Sequence, residues 1–173
     1  MFLITNNKIN ITLCGMMGAG KSVVGRMLAK QIDFAFFDTD DLIEKNVKKS
    51  ISQIFEEYGE TYFRNLEEEI VMDLLCKKNS VISLGGGALS NKNIRNLINK
   101  NSFNIYLKVK IDILKKRLKN SKNRPLLYKQ DLNLILNQLI KKREKFYKKA
   151  DLIIENKTNI IITLENIIKN IRL

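Results

Sequence analysis

Gly15-Met16-Met17-Gly18-Ala19-Gly20-Lys21-Ser22 fits the pattern G-x-x-x-x-G-K-[ST], and its surroundings decide the fold. Before it lies an apolar run, Lys8 to Cys14, that reads as a buried strand; after it, Ser22 to Gln31 reads as the start of a helix. Strand, glycine loop and helix in that order let backbone N–H groups converge on phosphate oxygens at a helix N-terminus. Lys21 adds a point charge near the β and γ phosphates, and the Ser22 hydroxyl can ligate Mg²⁺. A chance match in a glycine turn would not bring both flanks with it, so binding of a nucleoside triphosphate is the leading reading.

Outward from this loop, strand-like runs recur at Phe34 to Phe37, Val81 to Leu84, Phe103 to Leu107 and Leu152 to Glu155. Helical patterns separate them, at Lys21 to Gln31, Asp41 to Lys48, Ile51 to Tyr58, Glu60 to Lys78, Asn91 to Lys100, Asp112 to Asn120, Asp131 to Lys149 and Thr158 to Asn170. Ser50 and Gln53 have the spacing of a capping box. Alternating β and α units predict a parallel sheet covered by helices on both faces, with ligands at the carboxyl ends of the strands. With no linker-like shift in composition and no internal repeat, the 173 residues are expected to form a single domain.

Hydrophobic residues make up 45% of the chain, enough for one core, yet no stretch approaches the roughly 20 apolar residues of a membrane span. The N-terminus lacks the basic and long apolar regions of a signal peptide, so a cytoplasmic protein is expected. Cys14 and Cys76 are too few and too far apart for a disulfide framework or a zinc site, and with no histidine present both read as reduced packing residues. Lys and Arg number 31 against 18 Asp and Glu, a formal charge of +13. The lysines are scattered, and the dense stretches Lys108 to Lys122 and Lys141 to Lys149 are interrupted by apolar residues at helical spacing. They read as solvated helix faces, with neither nucleic acid nor membrane as partner.

Three clusters carry further chemistry. Asp38 and Asp40 follow the second strand two residues apart, which in an extended backbone turns both carboxylates the same way. One could hold Mg²⁺ through its water shell while the other orients a substrate hydroxyl; equally, either could cap the next helix. Gly85-Gly86-Gly87 follows the third strand and lets a ligand approach the backbone closely, unless it is a plain turn. Of the arginines, Arg64 has Glu60, Glu67 and Glu68 at surface-pair spacing, and Arg143 sits in a basic helix where a solvated charge is the default. Arg124 precedes the single proline, Pro125, in a polar stretch that reads as a mobile lid at about residues 119–128.

In order, GMMGAGKS, the DTD of Asp38 to Asp40, SIxxIFEEYGExYFR ending in Arg64, SLGGGA, RPLL from Arg124, and R-x-x-x-Y at Arg143 to Tyr147 followed by Ala150-Asp151 resemble the shikimate kinase family. The resemblance spans nearly the whole chain. It implies a P-loop α/β fold of the nucleoside-monophosphate-kinase type, a three-layer sandwich with a five-stranded parallel sheet flanked by helices. It implies that Gly18, Ala19, Gly20, Lys21, Ser22 and Val23 wrap the ATP phosphates, that Ser22 and Asp38 hold Mg²⁺, and that Asp40 binds the shikimate hydroxyls. Arg64 and Arg143 would grip the shikimate carboxylate, with the backbone of Gly86 and Gly87 completing the pocket. Arg117 would lie against adenine and Arg124 would reach the ATP phosphates from the lid. The implied reaction is ATP-dependent phosphorylation of shikimate to 3-phosphoshikimate by a monomer, with Lys21, Asp40 and Arg124 catalytic.

Some positions depart from the family pattern. Val23 stands where a threonine is common, the run Arg143 to Tyr147 lacks proline, and Asn156 to Asn159 lacks the basic and proline residues of many relatives. Two other readings compete: a small-molecule kinase of the same fold such as a gluconate kinase, and a nucleotide-dependent regulatory or nucleic-acid-binding module using the +13 charge.

Overall fold

The computed structural model of the chain describes residues 2–3, 10–119, 132–157 and 159–172. Lys8 and Ile9 of the expected first strand, the expected lid beyond Lys119, and Arg124 lie outside them.

Five parallel strands form the central sheet in the order β3-β4-β2-β5-β6. They are β2 (Asn10–Cys14), β3 (Ala35–Asp38), β4 (Ser80–Ser83), β5 (Ser102–Lys108) and β6 (Leu152–Glu155). From β2 the chain passes through α1 (Lys21–Gln31) to β3 at one edge, then returns to insert β4 between them. Later strands add on the other side of β2, so the order reverses beside the glycine loop, where a crevice opens at the strand ends. A two-stranded parallel pair, β1 (Phe2–Leu3) with β7 (Ile171–Arg172), joins the chain ends; no sequence pattern announced it.

Strand β2 is buried on both faces, which explains its unbroken apolar character. Ile11 and Leu13 face a cluster with Val24, Leu28 and Ala29 of α1 and Leu164 and Ile167 of α7 (Ile160–Asn170). Cys14 belongs to the opposite cluster, built with α3 (Ile51–Cys76), α4 (Lys92–Asn101), α5 (Ile111–Leu118) and α6 (Leu132–Tyr147). Burial pushes the Cys14 thiol up to about 12, against the pull of Lys21, so it stays protonated and packs as an apolar group. Cys76, by contrast, is exposed at the end of α3 and is not a packing residue. Asn10 ties that helix end to the sheet, its Nδ2 donating to the carbonyls of Leu75 and Lys77 while its Oδ1 accepts from Ser80 N.

One local expectation needs adjusting. Helix α2 (Thr39–Val47) starts two residues earlier than the pattern suggested, because Asp38 itself serves as N-cap and accepts from Asp40 N. Consequently Asp40 lies in the first turn of a helix, not in extended backbone, and strand alternation does not set its direction. The helices expected at Ile51 to Tyr58 and from Glu60 onward are both present: α3 is two helical segments divided at Gly59, where φ is 80° and ψ is 173°. Ser50 and Gln53 do form the capping box at its start.

Gly59 occupies a backbone region essentially closed to other residues, although a Cβ there would meet nothing within 4 Å. Strain alone should therefore make Gly59→Ala cost about 1–3 kcal/mol, seen as a lowered thermal unfolding midpoint. An unchanged midpoint would mean that the break converts to helix without penalty.

Candidate active site

At the nucleotide end, the loop from Gly15 to Gly20 turns into α1 with Gly20 as N-cap at φ 87°, a left-handed conformation that glycine adopts without strain. The first turn of α1 then presents its N–H groups to the loop mouth. Lys21, buried although charged, donates from Nζ to the carbonyls of Gly15 (3.0 Å) and Met16 (3.1 Å). Both outer sides of the loop are held by distant residues. Arg117 donates from Nη1 to Gly18 O and from Nη2 to Lys157 O, so its guanidinium joins the loop to the segment after β6. Asn156 is buried, donates from Nδ2 to Ala19 O at 2.7 Å and accepts on Oδ1 from the Thr163 hydroxyl. The sequence offered no signal for Asn156 beyond its place in a divergent segment. Val23 is 51% exposed on α1.

Asp38 ends β3 with its two oxygens divided. Oδ2 accepts from the Ser22 hydroxyl at 2.6 Å and Oδ1 caps α2. Capping and the Ser22 contact are thus compatible roles of one carboxylate. Ser22 and Asp38 present hard oxygen donors side by side, while among the described residues no group of three or more His, Cys, Asp or Glu could cage a metal. Such a donor set matches Mg²⁺, which is usually bound through one or two protein oxygens together with waters and substrate phosphates.

The second cluster is built on Gly85-Gly86-Gly87, which follows β4 and leads into a 3-10 turn, Ala88–Ser90. The space a Cβ would need at Gly85 is taken by Glu67 Oε1 (2.5 Å) and Asp40 Oδ1 (2.8 Å), and at Gly87 by the Arg64 guanidinium (2.7 Å). At Gly86 a Cβ would lie 3.6 Å from Arg143 Nη1 and 3.3 Å from Met17 N. Asp40, Arg64 and Arg143 therefore meet around one glycine run, and that run abuts the phosphate loop. Thr39 supports the arrangement, its hydroxyl accepting from Gly85 N.

Arg143 is only 8% exposed, so the solvated charge expected of a basic helix is corrected: its face of α6 turns inward toward the glycines. Tyr147, one turn further along, donates from its hydroxyl to Gly86 O. Burial raises its phenol far enough that it remains a donor at any ordinary pH. Arg64 makes the pairs expected of its helix, with Glu60 at 3.1 Å and Glu67 at 2.6 Å. Glu67 is no surface partner, however: it is 1% exposed, and Oε1 has no hydrogen-bond partner in the described structure. Its spacing from Arg64 was visible in the sequence, but its burial was not. Of the expected site residues, Gly18, Ala19, Gly20, Lys21, Ser22 and Asp38 border the loop, Asp40, Arg64, Gly86, Gly87 and Arg143 border the glycine run, and Arg117 is hydrogen-bonded to the loop at Gly18 O.

A five-stranded parallel sheet in this order, a phosphate loop after its central strand and a charged acceptor crevice beside it define a P-loop kinase of the nucleoside-monophosphate-kinase type. A family model described as "Shikimate kinase" matches residues 17–172. Shikimate kinases of Bartonella quintana and Rippkaea orientalis are 38% and 44% identical, over 96% and 84% of this chain and 80% and 78% of theirs. The structure of shikimate kinase from Acinetobacter baumannii in complex with shikimate superposes with a TM-score of 0.88 at 33% identity, covering 94% of both chains. A gluconokinase from Sinorhizobium meliloti reaches 0.57 at 12% identity over 92% of this chain and 88% of its own, a likeness of fold alone. The chain belongs to the shikimate kinase family, whose members are enzymes that use ATP as phosphoryl donor.

Burial holds the Glu67 carboxyl above its ordinary value; Arg64 pulls the other way, and Asp40 adds to the rise. A carboxyl raised in the folded chain contributes stability below its ordinary value of 4.5 and loses it as pH climbs through the folded value. Glu67→Gln abolishes that titration. The wild type should accordingly lose stability relative to Glu67→Gln as pH is raised from about 4 toward neutrality, measured by thermal unfolding. A difference between the two that is constant with pH would contradict the assignment.

Proposed function

We propose that this chain transfers the γ-phosphoryl group of ATP to the 3-hydroxyl of shikimate, giving ADP and 3-phosphoshikimate on the route to chorismate and the aromatic amino acids. The observation that carries this reading is the meeting of Asp40, Arg64 and Arg143 around Gly85 to Gly87, directly against the phosphate loop. Two guanidinium groups suit a carboxylate, because each planar fork can make paired hydrogen bonds to it. With the acid group held there, Asp40 is placed to take the proton of a ring hydroxyl.

Phosphoryl transfer through a loose transition state asks for alignment and charge neutralisation more than for a strong base, and a chain without histidine can supply both. The shikimate hydroxyl oxygen forms the new bond to γ-phosphorus, the bond to the bridging oxygen of ADP breaks, and the hydroxyl proton passes to Asp40. Lys21 exchanges its two loop carbonyls for phosphate oxygens, and the N–H groups from Gly18 to Val23 line the phosphates. Ser22 and Asp38 are the residues to hold Mg²⁺, which when bound neutralises phosphate charge. Arg124 is assigned to the ATP phosphates, and Arg117 to the face of adenine. The backbone of Gly86 and Gly87 lines the acceptor. We take the enzyme to be a cytoplasmic monomer of one domain, without nucleic acid as partner. In support, no described helix is long and apolar enough to cross a membrane, and the lysines are dispersed.

A coupled ADP assay with Mg²⁺, ATP and a panel of hydroxy acids tests the acceptor. Shikimate should stimulate turnover and gluconate should not; equal rates would favour a different kinase of this fold. Salt-sensitive oligonucleotide binding without acceptor-dependent turnover would favour the regulatory reading.

The residue roles separate kinetically. Arg143→Lys keeps the charge but loses the fork, and should raise KM for shikimate about tenfold or more. Asp40→Asn should lower kcat about 10²- to 10⁴-fold, the usual span for removing a positioned acid or base. Wild-type constants in both variants would refute these roles.

A further inference from the structure

The acceptor end depends on how accurately α6 delivers Arg143 to the glycine run, and one residue outside the site spans the two. Gly85 to Gly87 are hydrogen-bonded into the 3-10 turn that follows them, Gly85 O accepting from Ala88 N and Gly87 O from Ser90 N. At the far end of that turn, Arg95 of α4 donates from Nη1 to Leu89 O at 2.7 Å and to Ser90 O at 2.9 Å. The same guanidinium lies 4.4 Å from the centroid of the Phe146 ring. Phe146 is three residues after Arg143 and immediately before Tyr147, whose hydroxyl donates to Gly86 O. One planar cation thus grips the backbone carrying the glycines and the ring beside the substrate arginine.

We infer that Arg95 is a positioning residue for the acceptor site, a clamp that fixes the last turn of α6 against the glycine run so that Arg143 and the Gly86 backbone meet the substrate carboxylate in register. The geometry favours this over a general packing role. Nη1 donates to both carbonyls while the guanidinium carbon lies over the Phe146 ring, so one side chain links the two elements. A substrate carboxylate held by paired hydrogen bonds is sensitive to shifts of well under 1 Å in the arginine that holds it. Tyr147 fastens Gly86 to α6 by a hydrogen bond, beside apolar packing of Leu136 in the cluster that holds Ala88 and Leu89. Arg95 adds a second polar tie between the two. Lys145 also approaches the Phe146 ring, at 5.1 Å, and none of the hydrogen bonds to the 3-10 turn comes from it.

This inference rests on the reading of Arg143 as a carboxylate-binding residue, so Arg143→Ala accompanies the test. Steady-state kinetics of Arg95→Ala, Phe146→Leu, Phe146→Tyr and Lys145→Ala are compared with wild type, varying shikimate and ATP separately, alongside thermal unfolding. Arg95→Ala and Phe146→Leu should each raise KM for shikimate about three- to tenfold with KM for ATP unchanged. Phe146→Tyr, which keeps the ring face, should stay near wild type, as should Lys145→Ala. The double variant Arg95→Ala, Phe146→Leu should cost less than the product of the single effects, because one clamp is lost once. If Arg143→Ala raises KM for shikimate while Arg95→Ala leaves it alone, or raises both KM values equally with a lowered midpoint, the clamp is only structural and the inference falls. If Arg143→Ala itself leaves KM unchanged, the reading of the acceptor site falls, and the inference with it.

Discussion

Close approach of four charged side chains to a backbone without side chains is the constraint on which the rest of this structure depends. Asp40, Glu67, Arg64 and Arg143 come from three helices and converge on the space that Cβ atoms would fill at Gly85, Gly86 and Gly87. Burying charge is costly unless each group finds partners, and the cluster sets two carboxylates at Gly85 beside guanidinium groups at Gly86 and Gly87. Any side chain at Gly85 or Gly87 would displace a carboxylate or a guanidinium, disturbing the charge balance together with the shape. The Glu67 oxygen with no partner in the described structure marks where that balance is incomplete, and burial, with Asp40 beside it, holds the Glu67 carboxyl above its ordinary value.

The nucleotide end is organised on a different principle. Its loop geometry is local, set by glycines in left-handed conformations, but its stiffness is borrowed from the carboxyl-terminal third of the chain. Arg117 and Asn156 reach the carbonyls of Gly18 and Ala19 from beyond β5 and β6 and turn the backbone of the loop by satisfying its acceptors. Asn156 and Lys157 of the divergent segment are therefore tied to the glycine loop, the first directly and the second through Arg117. Thr163 completes the chain of contacts by donating to Asn156, so α7 also bears on the loop.

The two ends meet because the sheet order reverses at β2. The loop after β2, the acidic pair after β3 and the glycine run after β4 come from adjacent strands, which brings the acceptor cradle within contact of Met17 N and Gly15 O. The nearness of the loop and the glycine run is then a property of neighbouring strand ends. The helices tune the result. Helix α3 is interrupted at Gly59, five residues before Arg64, and α6 sets its last turn against the same glycines.

Much of this was legible from residue order. The loop Gly15 to Ser22, the alternating strands and helices, the capping box at Ser50 and the break at Gly59 are encoded locally, by backbone preferences and apolar period acting over a few residues. Motif order named the family and pointed to Asp40, Arg64 and Arg143. What residue order could not convey was burial. Arg143 looked like one charge among many on a basic helix, and Glu67 like one partner of a surface pair, because spacing along a helix is the same whether the face meets water or a core. Likewise Asn156 and Arg117 act through carbonyl oxygens far away in the chain, and a carbonyl carries no residue identity to read. The sequence alone thus determined the fold, the reaction class and the principal charged groups. Only the tertiary structure decided which charges are desolvated, which backbone groups they hold and how two ligand sites come to touch, since those depend on distances between segments that no local pattern records.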